Sequence, residues 1–462
     1  MSLSDVFTAL LIIAVLILLA KWLRRRIALL RRLFLPSSIV AGLLALIGGP
    51  QVAGRIVGGT GLLSGGIWPE AVVETWSGLP GLLINVVFAA LFLGKSIPPI
   101  RTIWKQAGPM IVHGQTLAWG QYVVGLSLAL LVLAPIWGVN PMAGALIEIG
   151  FEGGHGTAAG LRETFAELGF EDGADLALGL ATVGVVMGVI LGTFCINWAV
   201  RKGHLAPPNR TEEEDDRIAE HENREPTAPE DDRRDRSIEP LSVHVGFVGV
   251  SIALGWLILE GLVAMEASLL QPLGWPELLR HVPLFPLAMI GGVIVQLLAE
   301  PLGYAKLIDR GLVNRISGSA LDLLIVAALG ALSLEAIGGA MAPFVVLAVA
   351  GTAWNLLGFF VLARLLFPRN WVAYGLANFG QGMGMTVIGL LLVRMSDPRG
   401  KTGAMEAFGY KQLLFEPVVG GGLFTAASLP LIYQFGALPI LVAVSLVMVA
   451  WLVVGFTIFG RR

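Results

Sequence analysis

The chain has 462 residues, of which 55% are hydrophobic and only 14% charged, against about 25% charged in ordinary soluble domains. A mean hydropathy of +0.78 over that length excludes a soluble core wrapped in a polar surface. A net charge of −2, with charges segregated along the sequence, gives no ground for a nucleic-acid partner. The composition is that of an all-α polytopic membrane protein, and the 59 glycines fit helices that pack closely or break. The single Cys195 excludes an intrachain disulfide and a cysteine-rich metal site, and reads as a small apolar residue in a helix.

The first apolar run, residues 5–20, has no positive charge before it and Lys21, Arg24, Arg25, Arg26, Arg31 and Arg32 after it. A secretory signal carries its positive charges first, so this run is a membrane span. The positive-inside rule puts the N-terminus outside and the basic cluster in the cytoplasm. Spans are predicted next at Leu33–Gly49, Leu79–Leu93 and Gly108–Pro135, with Pro36 in the first turn of its helix.

Residues 142–168 are apolar but carry Gly150, Gly153, Gly154, Gly156 and Gly160. Each glycine costs a helix roughly 1 kcal/mol against alanine, so this density predicts a break. The expected form is a re-entrant hairpin entering from outside, with its turn near Gly153–Gly156. Broken backbone at that depth is tolerable only where protein or a water-filled cavity satisfies it. The charged stretch Arg162–Asp175 is expected to be an outer loop, and Leu176–Val200 a span returning to the cytoplasm. Residues 201–240 hold 13 Asp/Glu and 8 Lys/Arg and read as a solvated cytoplasmic linker.

The second half repeats the order, with spans predicted at 241–265, 284–300, 317–336 and 343–366. A second broken segment follows at 371–393, then one span at 409–434 and a further apolar segment at 437–459. The sequence Phe379-Gly-Gln-Gly-Met-Gly-Met-Thr echoes Phe151-Glu-Gly-Gly-His-Gly-Thr, with Phe379, Gly382 and Gly384 matching Phe151, Gly154 and Gly156 at one constant offset. Pro36–Gly42 parallels Pro286–Gly292, and Ala89–Leu91 parallels Ala327–Leu329. An odd number of spans per repeat inverts the second repeat, so the two hairpins are expected to enter from opposite faces and meet near the midplane. The domains so defined are a first repeat (1–200), the linker (201–240), a second repeat (241–435) and an additional C-terminal helix (436–462).

The string Gly153-Gly-His-Gly-Thr157, the Pro36 helix and the Gly380-x-Gly382-x-Gly384-x-Thr386 pattern together resemble the bacterial sodium/glutamate symporter (ESS) family, over about residues 5–435. The resemblance implies two inverted five-helix repeats, each with a re-entrant loop, a homodimer in the bacterial inner membrane, and sodium-coupled uptake of glutamate without a cofactor. The glycine loops would line the translocation site. The chain differs from the family pattern in having Glu152 where a serine is usual and Val387 where a proline is usual. Glu416 lies before Pro417, in place of an acidic residue near Thr425.

Broken segments offer two kinds of site. Unpaired N–H groups at a half-helix N-terminus suit a substrate carboxylate, and unwound carbonyls suit sodium. The substrate-binding candidates are Gly153, Gly154, His155, Gly156, Asn378, Gln381, Gly382 and Gly384. The ion-binding candidates are Glu152, Thr157, Thr386 and Glu416, with sodium the only metal expected. Thr157 and Thr386 read equally as helix caps or hydroxyls bonded to their own turns. His155 either meets a substrate carboxylate or closes the hairpin by a hydrogen bond. Glu152 and Glu416 either hold an ion or pair with a cation such as Lys411 or Arg394. Asn85, Asp322 and Asn355 are read as interhelical hydrogen-bonding groups.

A small anionic substrate, a sodium ion and surrounding lipid are thus the expected partners. The same fold carrying another carboxylate, with proton coupling through Glu152 or Glu416, is the second reading. An intramembrane enzyme using His155 and Glu152 as an acid–base pair is a third, from another class. It lacks any HExxH, any GxSxG and a second nearby histidine.

Overall fold

An apolar run in a bilayer satisfies its peptide groups internally only as a helix. The computed structural model describes residues 3–32, 36–55, 66–95, 97–205, 240–274, 277–304, 307–367 and 369–459, and helices are the only regular element among them. Among the described residues ten helices are long and apolar enough to cross a membrane, and the protein is an all-α polytopic membrane protein. Most of the expected charged linker falls outside the described residues.

In the first half α1 (Leu3–Arg26), α2 (Ser37–Gly48), α3 (Glu70–Ala89) and α4 (Ile100–Leu128) are followed by short pieces α5 (Leu146–Phe151), α6 (Gly154–Gly160) and α7 (Arg162–Glu167), then by α8 (Gly173–Arg201). The second half runs α9 (Pro240–Met265), α10 (Phe285–Ala299), α11 (Arg310–Gly330), α12 (Met341–Leu357) and α13 (Trp371–Ser396). It closes with α14 (Ala404–Phe415), α15 (Leu423–Phe435) and α16 (Ala437–Val454).

The two halves exchange helices. The second helix of each half packs on the third helix of the other (α2 on α11, α10 on α3), and α3 packs on α11. The helix end of α3 shows why the exchange is fixed. Its last carbonyls lack intrahelical partners, and Arg310 Nη1 from the start of α11 donates to Ala90 O at 2.9 Å and to Leu93 O at 2.7 Å. Gln296 of α10 accepts from the Gly94 amide at 2.7 Å. The fourth helix of each half carries a π-type turn near its end, at Ala129–Leu133 after α4 and at Gly358–Leu362 after α12. The other elements, α4 to α8 and α12 to α16, form the second bundle around α4, α8 and α13, with α16 packed on α4 and α6 on α8.

Several expected boundaries move. α3 starts at Glu70 rather than Leu79, behind Pro69 and with Pro80 inside the helix. α11 starts at Arg310 because Asp309 caps it, its carboxylate accepting from the Gly311 and Leu312 amides. It ends at Gly330, and Ser333 caps a separate short helix, Leu334–Gly339, so the span expected at 317–336 is wrong at both ends. The stretch Arg162–Asp175 is largely helical rather than a loop, with Arg162 on Asp175 at 2.8 Å. The single span expected at 409–434 is two helices, α14 and α15, separated by Glu416–Gly422. Pro417 and three consecutive glycines end the first of them, and Gly420 and Gly421 have φ of 73° and 99°.

The second broken segment folds back on itself inside α13. Gly384 and Met385 leave helical geometry, Met385 with φ 64° and ψ 178°. A methyl group on Gly380 would lie 2.7 Å from the Gly389 nitrogen, and one on Gly389 would lie 2.6 Å from the Ala377 carbonyl oxygen. In a continuous helix residues 377 and 389 would be about 18 Å apart. The first broken segment opens at Glu152–Gly153, the leading edge of the expected turn.

Because the two arms of α13 touch at Gly380, Gly380→Ala should destabilise the fold by about 1–3 kcal/mol through overpacking. Thermal unfolding in detergent reads this, with Gly409→Ala, which meets nothing within 4 Å, as the control expected to match or exceed the parent.

Candidate functional site

The tips of the two broken segments meet. Gly154 has φ 71°, and a side chain there would collide with the Met385 sulfur. Only glycine combines that backbone with room for Met385. Met385 itself holds a left-handed φ at a cost of order 1–3 kcal/mol, a strain that clusters at working sites.

Opening α13 at Gly384 leaves carbonyls that need partners. Gly382 O accepts from Gln121 Nε2 at 2.8 Å and from Asn355 Nδ2 at 2.9 Å. A polar relay then runs along the inner face of the segment. Asn378 Nδ2 donates to Met110 O at 3.1 Å and pairs with His113 Nδ1 at 2.9 Å, so its oxygen faces Lys411. Lys411 Nζ donates to Asn378 Oδ1 at 2.9 Å and to Gln381 Oε1 at 2.8 Å. Gln412 Nε2 donates to Gln381 Oε1 at 3.1 Å and to Thr386 Oγ1 at 2.8 Å, and Thr386 donates to Glu416 Oε1 at 3.0 Å.

On the first segment the dominant group is Glu148, fully buried. Its carboxylate accepts from Tyr122 Oη at 2.6 Å, from the Gly420 amide at 2.7 Å and from Thr425 Oγ1 at 2.8 Å. Three donors compensate a charge that the interior would otherwise penalise. They tie the first broken segment to α4 and to the break between α14 and α15. Thr157 Oγ1 faces Gly421 across that break, where a methyl would lie 2.6 Å away, and has no hydrogen-bond partner. Glu152 Oε2 and Glu416 Oε2 are also buried without a partner.

The structure thus brings Asn378, Gln381, Thr386 and Glu416 into one connected network, with Gly382 and Gly384 in the backbone they serve. Gly153, Gly154 and Gly156 lie with Glu152 and Thr157 at the facing break. His155 Nε2 meets Thr182 Oγ1 of α8 at 3.0 Å, so it does not close the hairpin. It makes no hydrogen bond to Glu152. Thr386 bonds Glu416 instead of its own turn, and Thr157 caps nothing. Lys411 lies within 4.0 Å of no carboxylate oxygen among the described residues, so the expected ion pairs of Lys411 with Glu152 or Glu416 are absent. Glu416 sits at the C-terminal end of α14 rather than inside a long helix. Asn355 bonds between helices as expected, whereas Asn85 bonds Gly81 O and Leu82 O of its own helix.

Glu148, Gln121, Gln412 and Lys411 as the hub were not anticipated. Glu148 had a signal, a lone carboxylate in the run Leu146–Phe151. Gln121 had none, since a glutamine in an apolar helix says nothing about which carbonyl it will meet.

The model of the sodium/glutamate symporter family matches residues 2–393 of the chain. A sodium/glutamate symporter of Haemophilus influenzae is 27% identical over 184 residues, which cover 38% of this chain and 40% of that protein. Less than half of that relative's length is therefore matched.

If Glu148 fastens the first segment to α4 and to the break between α14 and α15, Glu148→Gln should cost about 1.5–3 kcal/mol, the worth of charge-assisted hydrogen bonds. Tyr122→Phe, which removes one donor and leaves the charge compensated by two, should cost about 1 kcal/mol. Thermal unfolding of the two variants beside the parent tests the order.

Proposed function

We propose the function of this chain from one premise: it belongs to the sodium/glutamate symporter family. It is a secondary active transporter that moves glutamate, or a small carboxylate like it, together with sodium. The observation that carries the reading is the meeting of Gly154 and Met385, the tips of two broken segments, beside buried polar groups that the fold leaves with unused oxygens.

Sodium takes oxygen ligands, and Glu152 Oε2, Thr157 Oγ1 and Glu416 Oε2 are, with the amide oxygens of Gln121 and Gln412, oxygens of this region that are buried without a hydrogen-bond partner. Glu152 belongs to the first break, Thr157 to the helix after it, and Glu416 and Thr386 to the network of α13 and α14. The substrate carboxylate would lie against the first-turn amides of α6, at Gly154–Gly156, beside Gly153, whose own amide donates to Glu148 O. Gln381, with the backbone at Gly382 and Gly384, would face it from the other segment, and Asn378, whose amide is spent on Met110, His113 and Lys411, would support Gln381 from behind. His155, anchored to Thr182, offers its other ring nitrogen, which has no partner.

Alternating access would come from movement of the bundle that holds both broken segments against the bundle of α1–α3 and α9–α11. The exchange of second and third helices between halves supports an inverted repeat, with the two segments entering as re-entrant hairpins from opposite faces. The N-terminus lies outside and the charged linker 201–240 in the cytoplasm, in a bacterial inner membrane. The family resemblance carries the homodimer.

Purified protein in liposomes should accumulate labelled glutamate or a related carboxylate under an inward sodium gradient and not under choline. Glu152→Gln and Glu416→Gln should each slow uptake by about tenfold or more, the equivalent of a contact worth about 1.4 kcal/mol. Sodium-independent uptake would refute the coupling, and two variants at the parent rate would refute the ligand assignment.

A further inference from the structure

Lys411 is the group in the network that neither the family membership nor the ion and substrate assignments explain. It is fully buried, and a buried ammonium demands three hydrogen-bond acceptors. Two are the amide oxygens of Asn378 and Gln381, and the third direction is taken by the face of Phe415, whose ring centre is 3.7 Å from Nζ. From the remaining side α4 closes in, since a methyl group on Gly114 would lie 2.6 Å from Nζ.

The amides are not turned toward the lysine by chance. The Asn378 NH2 is spent on Met110 O and His113 Nδ1, and His113 Nε2 is held against Gly358 O at 3.1 Å, so Asn378 has only its oxygen to offer. Gln381 Oε1 takes a second donor from Gln412. The surrounding groups therefore form a pocket of oxygens and one aromatic face aimed at a single positive point. That is the donor set of a small monovalent cation, and a lysine head is a compact point charge on a flexible stem. Because all three N–H directions are used and the nitrogen is sealed, the ammonium has no donor left for a substrate carboxylate.

We propose that Lys411 is a tethered cation, filling an oxygen-lined pocket between α13, α14 and α4 that would otherwise take a small monovalent cation such as sodium or ammonium. The inference rests on the reading of the protein as a cation-coupled transporter and deepens it. Lys411, from α14, places its head where a diffusing ion would otherwise sit, in the network that reaches Glu416 through Gln381, Gln412 and Thr386. It acts as a positioning residue, fixing Asn378 and Gln381 rather than touching substrate.

The test separates filling from emptying the pocket. Lys411→Ala removes the ammonium and leaves its space, whereas Lys411→Met fills the space without charge. In detergent with choline chloride, Lys411→Ala should unfold at a lower temperature than the parent and recover with sodium or ammonium chloride at equal ionic strength. The parent and Lys411→Met should show only the parent's own sodium response and none to ammonium. In liposomes, uptake by Lys411→Ala should depend on sodium more steeply than in the parent, by one additional ion. Lys411→Ser, which adds a hydroxyl oxygen to the same space, is the second variant and should respond more strongly to sodium. Variants that respond to sodium and ammonium no more than the parent, or that fail to fold in every salt, would overturn the proposal. Loss of sodium dependence in the parent itself would instead strike the transport reading.

Discussion

A peptide group freed from a helix inside a bilayer must find its partner in the protein, and this fold is arranged around meeting that demand. When α13 opens at Gly384, the Gly382 carbonyl takes donors from both Gln121 and Asn355, which come from the fourth helices of opposite halves. When the chain opens again after α14, the Gly420 amide takes the carboxylate of Glu148 from the first broken segment. Each break is thus satisfied by a side chain from another element. Without such partners the glycines at the turns would be unsupported flexibility.

The architecture was legible because helix breaking is a local property. Glycines at Gly153–Gly156 and Gly380–Gly384 declare a break wherever they stand, and the echo between them declared that the two were related. Boundaries were read less well. Asp309 and Ser333 are ordinary capping residues, yet hydropathy alone starts the span well after Asp309 and runs it across Ser333. The run Pro417 to Gly422 is as strong a break signal as either glycine motif, but the apolar residues on both sides concealed it within a single expected span.

The site divides along the same line. Asn378, Gln381, Thr386 and Glu416 were readable because polar groups in an apolar span near a break have few other reasons to be there. Their wiring was not, since it depends on which residues of α4 and α14 arrive beside them. Lys411 illustrates the gap. In sequence it is an obvious counter-ion for Glu152 or Glu416, yet in the fold its charge is met by two amide oxygens and a ring face. Glu152, which stands where the family resemblance would have serine, keeps Oε2 without a partner.

The central claim is that both broken segments line one site. It is tested most directly by protection of single cysteines placed at Thr157 and at Thr386, in a chain whose sole native thiol, Cys195, is replaced by alanine. Sodium together with glutamate or a related carboxylate should slow the reaction of both cysteines with a small thiol reagent. Protection of one without the other, or of neither while uptake persists, would contradict a shared site.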